Sequence, residues 1–246
     1  MRPFILDALV DLAAAPYRGV GRMAWKFLRG KLNGDPAFMG LLEHALIPDK
    51  ARLLDLGCGS GSLAAWLLAA EMFAAQNTWP ETMARPPQSL RIRGIELALK
   101  AVTHARAALG SRAEFVCADI RTEAFGMADV VVILDVLHYI DYVAQDAVLE
   151  RVKTALHGKG RLLLRVGNAA GGWSFKLSQW IDQLVVLARD RRLASLYCRP
   201  LSGWIAHLQD MGFSVRPVPM SDGTPFANVL LVADLESNSV SSSVPS

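Results

Sequence analysis

From residue 51 onward the chain alternates between short runs dense in Leu, Ile and Val and longer stretches in which apolar positions recur every three or four residues. The short runs predict strands over 51–56 (ARLLDL), 90–96 (LRIRGIE), 113–119, 129–135 and 161–166 (RLLLRV), because a strand buried on both faces reads as near-continuous hydrophobicity. Helices are predicted between them over 61–73, over 97–110 with Gly110 as the stop, and over 141–158. In the last of these Asp141 is the N-cap, Leu149, Val152 and Leu156 share a face, and Gly158 ends the element. A further helix near 202–211 ends at Gly212, and two strands follow, 213–218 and 226–233. The SDGTP turn at 221–225 is too short for a crossover, so that pair is antiparallel. The whole predicts an α/β fold with a seven-stranded, mostly parallel, doubly wound sheet and an antiparallel last strand.

Three segments interrupt the alternation. Residues 1–50 read as a helical N-terminal extension of two or three helices preceding a main domain at 51–235. The stretch 74–88, with Pro80, Pro86 and Pro87, is a loop, and 167–200 is a helical insertion after the fifth strand with a helix over 172–190. Ligands of open α/β sheets bind at the carboxyl ends of the strands. The insertion at 167–200 leaves such an end and is expected to be a lid over the crevice, whereas the proline-rich loop enters a strand and belongs to the far edge. The tail 236–246 has nothing to bury and is expected to be disordered.

Composition narrows the class. With 52% hydrophobic and 20% charged residues a sizeable core is assured, and the net charge of +3, spread along the chain, does not by itself point to nucleic acid. Cys58, Cys117 and Cys198 stand far apart without a CxxC pair, which argues against a disulfide framework or a structural zinc, so no metal is expected. Asp7 and Asp11 break the apolar start, and the run MADVVVILDVLHYI is short and carries two aspartates, so neither reads as a signal peptide or a membrane span. A cytoplasmic setting is the expectation.

The segment LLDLGCGSGS at 53–62 carries the chemistry. A phosphate-binding P-loop requires a lysine and a Ser or Thr after the last glycine, but Gly61 is followed by Ser62, Leu63 and Ala64. The dinucleotide fingerprint requires a third glycine where Ser62 stands. What remains is an acid, one residue, then GxGxG at a strand end: Asp55, Gly57, Gly59 and Gly61. This segment resembles the first motif of the class I S-adenosyl-L-methionine (SAM) dependent methyltransferases. The resemblance implies that SAM is the cofactor, its methionine portion held by Asp55 and the backbone around Gly57, Gly59 and Gly61. It implies a ribose-binding carboxylate at Glu96, an adenine-facing Asp119 with Ile120 or Ala118 beside the ring, and Asp135 near the methionine moiety. It also places Leu137, His138 and Tyr139 at the boundary between donor and acceptor, with His138 as candidate general base. His44, His104, His157 and His207 fall on predicted helices instead.

Methyl transfer to a small-molecule acceptor, through oxygen, is the activity so implied. LHYI with Gln145, RLLLRVGN and GTPFANVLLVA look like methyltransferases of fatty-acid-like or polyketide pigment pathways, although those relatives often show Asp where Asn168 stands. An RNA methyltransferase or a SAM-binding protein without catalysis are the alternatives, and no NPPY-like tetrapeptide follows the fourth strand. Trp25, Phe27, Trp173, Phe175, Trp180 and Tyr197 are available to line an apolar acceptor pocket. Arg18, Arg22, Lys26, Arg29 and Lys31 lie in a stretch without an acid. They read as a solvated face, or as a docking surface for an acidic acyl carrier protein or an anionic membrane.

Overall fold

The computed structural model describes residues 2–167, 197–220 and 228–235. The expected helix over 172–190, most of the 167–200 lid, the 221–225 turn and the tail lie outside the described residues. The extension comprises α1 (Arg2–Ala14), α2 (Arg22–Gly34) and α3 (Pro36–Glu43). Then come β1 (Arg52–Leu56), α4 (Ser62–Ala75), β2 (Arg91–Glu96), α5 (Leu99–Leu109), β3 (Glu114–Cys117), β4 (Val130–Leu134), α6 (Tyr142–Ala155) and β5 (Gly160–Gly167). The chain closes with α7 (Leu201–Asp210), β6 (Ser214–Pro219) and β7 (Asn228–Leu235).

The seven strands form one sheet in the order β3-β2-β1-β4-β5-β7-β6. The first five are parallel, and β7 runs antiparallel to both β5 and β6. The strand order therefore reverses beside β1, and the register places Asp55 level with Gly94 and Val132. Most strand boundaries shift by one residue from the sequence expectation, and those of β3 and β7 shift by two. β3 stops at Cys117 rather than 119, because the Asp119 carboxylate accepts the Arg121 backbone N–H at 2.8 Å and turns the chain. β7 extends to Leu235, two residues beyond the expected end, with Leu230 to Ala233 fully buried; the expected start at 226 lies outside the described residues.

Alternate strand residues feed two hydrophobic layers, as the pleat requires. Leu53, Val130, Val132 and Leu163 face α1 to α5, while Leu54, Val131, Ile133 and Leu164 face α6 and α7. The extension is continuous with the first layer. Leu9, Leu28, Leu32 and Phe38 are buried in it, and Trp66 of α4 donates its indole N–H to the Phe38 carbonyl at 2.7 Å. None of the described helices is long and apolar enough to cross a membrane.

Candidate functional site

β1 ends in a loop that only glycine accommodates without strain. Gly57, Gly59 and Gly61 have φ of +76°, +54° and +77°. A Cβ on Gly57 would sit 2.2 Å from Val136, and one on Gly61 would press on Phe115 and Ala105. Gly61 thus performs the close helix-to-strand approach that the dinucleotide fingerprint assigns to a residue in Ser62's place. A Cβ on Gly59 would meet nothing within 4 Å, so the crest of the loop is open to a ligand.

The carboxylates around this loop divide by partner. Glu96, at the end of β2, accepts the Gly59 N–H through Oε2 at 3.0 Å and the Ala98 N–H through Oε1 at 2.8 Å. Each oxygen keeps a second lone pair, so the geometry leaves room for two hydroxyls. Leu97, beside it, is 65% exposed and offers an apolar face next to that carboxylate. Asp55 is buried at 4% exposure. Burial pushes its pKa up to about 7, opposed by the Lys31 ammonium and reinforced by Glu96. Asp119 is clasped by Arg121, whose guanidinium lies 2.5 Å from Oδ2 and holds the carboxyl below the usual range. Ile120 is buried in the layer formed with α6.

Asp135 follows β4 with φ +59°, a left-handed backbone that aspartate tolerates better than most residues. Its carboxylate accepts from Arg165 of β5, Nε to Oδ1 at 2.9 Å and Nη2 to Oδ2. The remaining arm of Arg165 reaches Asp35, with Nη1 at 2.6 and 2.8 Å from the two oxygens. Asp35 is also the N-cap of α3, accepting the Ala37 N–H. Burial would raise the Asp35 pKa, but the Arg165 guanidinium holds it down. One buried arginine therefore ties the extension to the carboxyl ends of β4 and β5. Tyr17 makes a second tie, donating its hydroxyl to the Ser60 carbonyl of the glycine loop at 2.5 Å.

His138 lies in a short 3-10 turn, Leu137–Tyr139, at 8% exposure, its ring centroid 4.1 Å from that of Tyr139. Burial lowers its pKa, with Asp135 pulling the other way, so the imidazole is neutral near pH 7. The turn is secured by the fully buried Gln145, whose amide donates to the carbonyls of Leu137, Ile140 and Tyr197 at 3.0, 3.1 and 2.8 Å. Tyr197 in turn donates its backbone N–H to the His138 carbonyl at 3.0 Å. Residues 197–199 and the His138 turn are consequently one assembly, which also encloses a small cavity with Arg165 and Trp204.

The structure places Asp55, Gly57, Gly59, Gly61, Glu96, Asp135 and His138 together at the carboxyl ends of β1, β2 and β4. Asp119 stands after β3 with its carboxylate engaged by Arg121. The basic stretch of the extension is divided. Arg29 pairs with Asp11, Arg18 and Arg29 lie 5.4 and 5.2 Å from the Trp25 ring, and half-buried Lys31 has its ammonium 5.8 Å from the Phe38 ring. Sequence reasoning missed Tyr17, Lys31, Asp35 and Arg165. The available signals were an arginine inside the apolar run LLLRV and the Asp-Pro start of α3. A larger groove of about 400 Å³, lined by Arg52, Arg91, Arg112 and Met127 among others, opens at the amino ends of the strands, away from these residues. No group of His, Cys, Asp and Glu among the described residues is arranged to hold a metal.

Residues 54–162 match the model of a family described as a methyltransferase domain. No curated protein matches the chain. Several solved structures share the fold. Magnesium protoporphyrin IX methyltransferase from Synechocystis, solved with bound SAM, is 17% identical over 84% of this chain and 83% of that one, with a TM-score of 0.52. Mitomycin 7-O-methyltransferase is 24% identical over 85% of this chain and 56% of that one, with a TM-score of 0.55. The small RNA methyltransferase HEN1 is 18% identical over 81% of this chain and 25% of that one, with a TM-score of 0.53.

Proposed function

From a chain whose residues 54–162 match a methyltransferase domain, we propose that it is a class I SAM-dependent methyltransferase and transfers the methyl group of SAM to an oxygen atom of a small, largely apolar acceptor. The observation that carries the reading is the joint placement of an open Gly59 crest, the Glu96 carboxylate and buried Asp55 at the strand-order reversal. The donor set fits the cofactor. Glu96 would accept from the ribose hydroxyls, Leu97 would lie against the adenine, and Asp55 would face the cationic methionine end. SAM supplies a methyl group on a sulfonium, whose positive charge disappears when the methyl leaves.

The work left to the chain is positioning, exclusion of water and proton handling. Asp35, Asp55 and Asp135 outnumber Arg165 and Lys31, so the site has an acidic bias suited to a cation. His138, neutral and three residues beyond Asp135, is placed to take a proton at an imidazole nitrogen when the acceptor is a hydroxyl. With a carboxylate acceptor the same ring would only orient it. Arg18, Arg22 and Lys26 remain exposed, and they form the surface on which an acidic carrier protein would present a tethered acceptor.

The test is incubation of the protein with methyl-labelled SAM and a cell extract separated into metabolite, carrier-protein and RNA fractions. Label in the metabolite or carrier fraction is expected. Label confined to RNA would replace this reading with an RNA methyltransferase, and SAM binding without label anywhere would leave a non-catalytic binding protein.

A further inference from the structure

We propose that the groove at the amino ends of β1, β2 and β3 is a second ligand site, one that holds a small molecule bearing a phosphate. It lies at the opposite end of the sheet from the glycine loop and stands apart from the SAM reading. Three of the four crossovers between parallel strands carry a helix, α4, α5 and α6, whereas residues 118–129, between β3 and β4, form none. Ile120, Phe125 and Ala128 of that connection join the layer of α6, so on this face the first residues of β1, β2 and β3 have only loop cover. Arg52 is level with Arg91, Leu54 with Arg93, and Arg93 with Glu114. Charged side chains therefore stand on the face where Leu54 is buried, at positions that a covering helix would require to be apolar.

The groove so left measures about 400 Å³, within the range of small-molecule sites, about 300–1,000 Å³. Arg52, Arg91, Arg93 and Arg112 line it with a single carboxylate, Glu114. Arg93 is fully committed: Nε to Glu114 at 3.3 Å, Nη2 to Glu123 at 2.8 Å, and Nη1 to the carbonyls of Ala124 and Phe125. Arg52 gives Nε and Nη2 to Asp129, and Arg112 gives the same two nitrogens to the carbonyls of Leu109 and Ala108. Each of these two is thus held in place with Nη1 left over. Arg91 makes no side-chain hydrogen bond or ion pair among the described residues. It sits one strand spacing from Arg52, about 4.8 Å, where like charges repel. Asp129 compensates Arg52, but no carboxylate among the described residues pairs with Arg91 or Arg112. A phosphomonoester brings about −1.5 to −2 of charge and three acceptor oxygens, enough for guanidiniums from the starts of three strands, whereas a carboxylate is matched by one guanidinium fork. Leu90 and the 54%-exposed Met127 give the body of the ligand an apolar wall. The enclosed volume and the small net charge of +3 favour one phosphorylated molecule over a nucleic-acid backbone.

The test uses phenyl phosphate as the probe, compared by calorimetry with benzoate, which has the ring without the phosphate, and with a short oligouridylate RNA. Saturable one-to-one binding of phenyl phosphate is expected, with benzoate clearly weaker. Arg91→Met and Arg112→Met should each weaken phenyl phosphate by about tenfold, the scale of a lost charge-assisted hydrogen bond. Both side chains are exposed, so urea midpoints should stay at the wild-type value. Lys100→Met, which removes a charge from an exposed position of α5 at the other end of the sheet, should bind as wild type. Absence of saturable binding to wild type, equal binding of benzoate, or binding that both arginine variants retain would overturn the proposal. So would a loss in Lys100→Met as large as in Arg91→Met, which would mark a general effect of charge. RNA bound more tightly than phenyl phosphate, and lost in Arg91→Met, would replace the proposal with a nucleic-acid surface.

Discussion

Asp55 sits at the end of a central strand with almost no access to water, and its carboxyl is pushed up to about 7. An unfolded aspartate titrates at about 3.9, so between roughly pH 4 and pH 7 the folded state holds a proton that the unfolded state has lost. Stability of the ligand-free protein should therefore decrease as pH rises through that window, and Asp55→Asn should lack this contribution. Thermal unfolding of the two proteins at pH 5 and pH 8 checks the sign: the advantage of Asn over Asp should grow with pH. A cationic donor favours the ionised carboxyl, so SAM affinity of the wild type should rise over the same range. Glu96 gives a simpler expectation. Glu96→Ala removes the acceptor of the Gly59 and Ala98 N–H groups and, on the proposed reading, of the ribose hydroxyls, so SAM affinity by calorimetry should fall by about 1.5–3 kcal/mol, roughly ten- to hundredfold.

Among the elements, the turn after β4 and the start of α6 are joined by a single side chain. Gln145 occupies an otherwise apolar face with Val148, Leu149 and Val152, and its amide satisfies three carbonyls, two in that turn and one at Tyr197. Gln145→Leu keeps the volume but leaves those carbonyls without their donor, at a cost of about 1–3 kcal/mol readable by urea denaturation. Because the turn carries His138 and the glycine loop does not touch Gln145, turnover should drop while SAM affinity stays nearly constant. The glycine loop shows how much an element owes to its neighbours. Its spacing was legible because each glycine answers to local backbone geometry, yet the reason for Gly57 is Val136, nearly eighty residues later in the chain. The β3 boundary was misread for a comparable reason: its apolar run continues past Cys117, and the side chain that ends the strand is Asp119 bonding to its own turn.

For the molecule as a whole, the extension is packed into the same body as the sheet. Its helices share a hydrophobic layer with β1, β4 and β5, and the Asp35–Arg165–Asp135 network pins it to the strand ends. Arg165→Met would leave the Asp35 carboxylate, 16% exposed, without its cation, and the loss should approach the roughly 3–5 kcal/mol of a buried pair broken from one side, with Asp135, 39% exposed, adding little. Adding Asp35→Asn to that variant should return part of the stability, measured by denaturant titration. The doubly wound layering and the glycine loop after β1 were legible in the sequence itself, since period-two and period-3.6 burial and closely spaced glycines leave local signatures, whereas the strand order β3-β2-β1-β4-β5-β7-β6 was not. Only the tertiary structure decided that Tyr17 reaches a loop 43 residues away and that Arg165 joins Asp35 across 130. A cation reads as solvated until a distant carboxylate is packed against it, and no local pattern encodes that meeting.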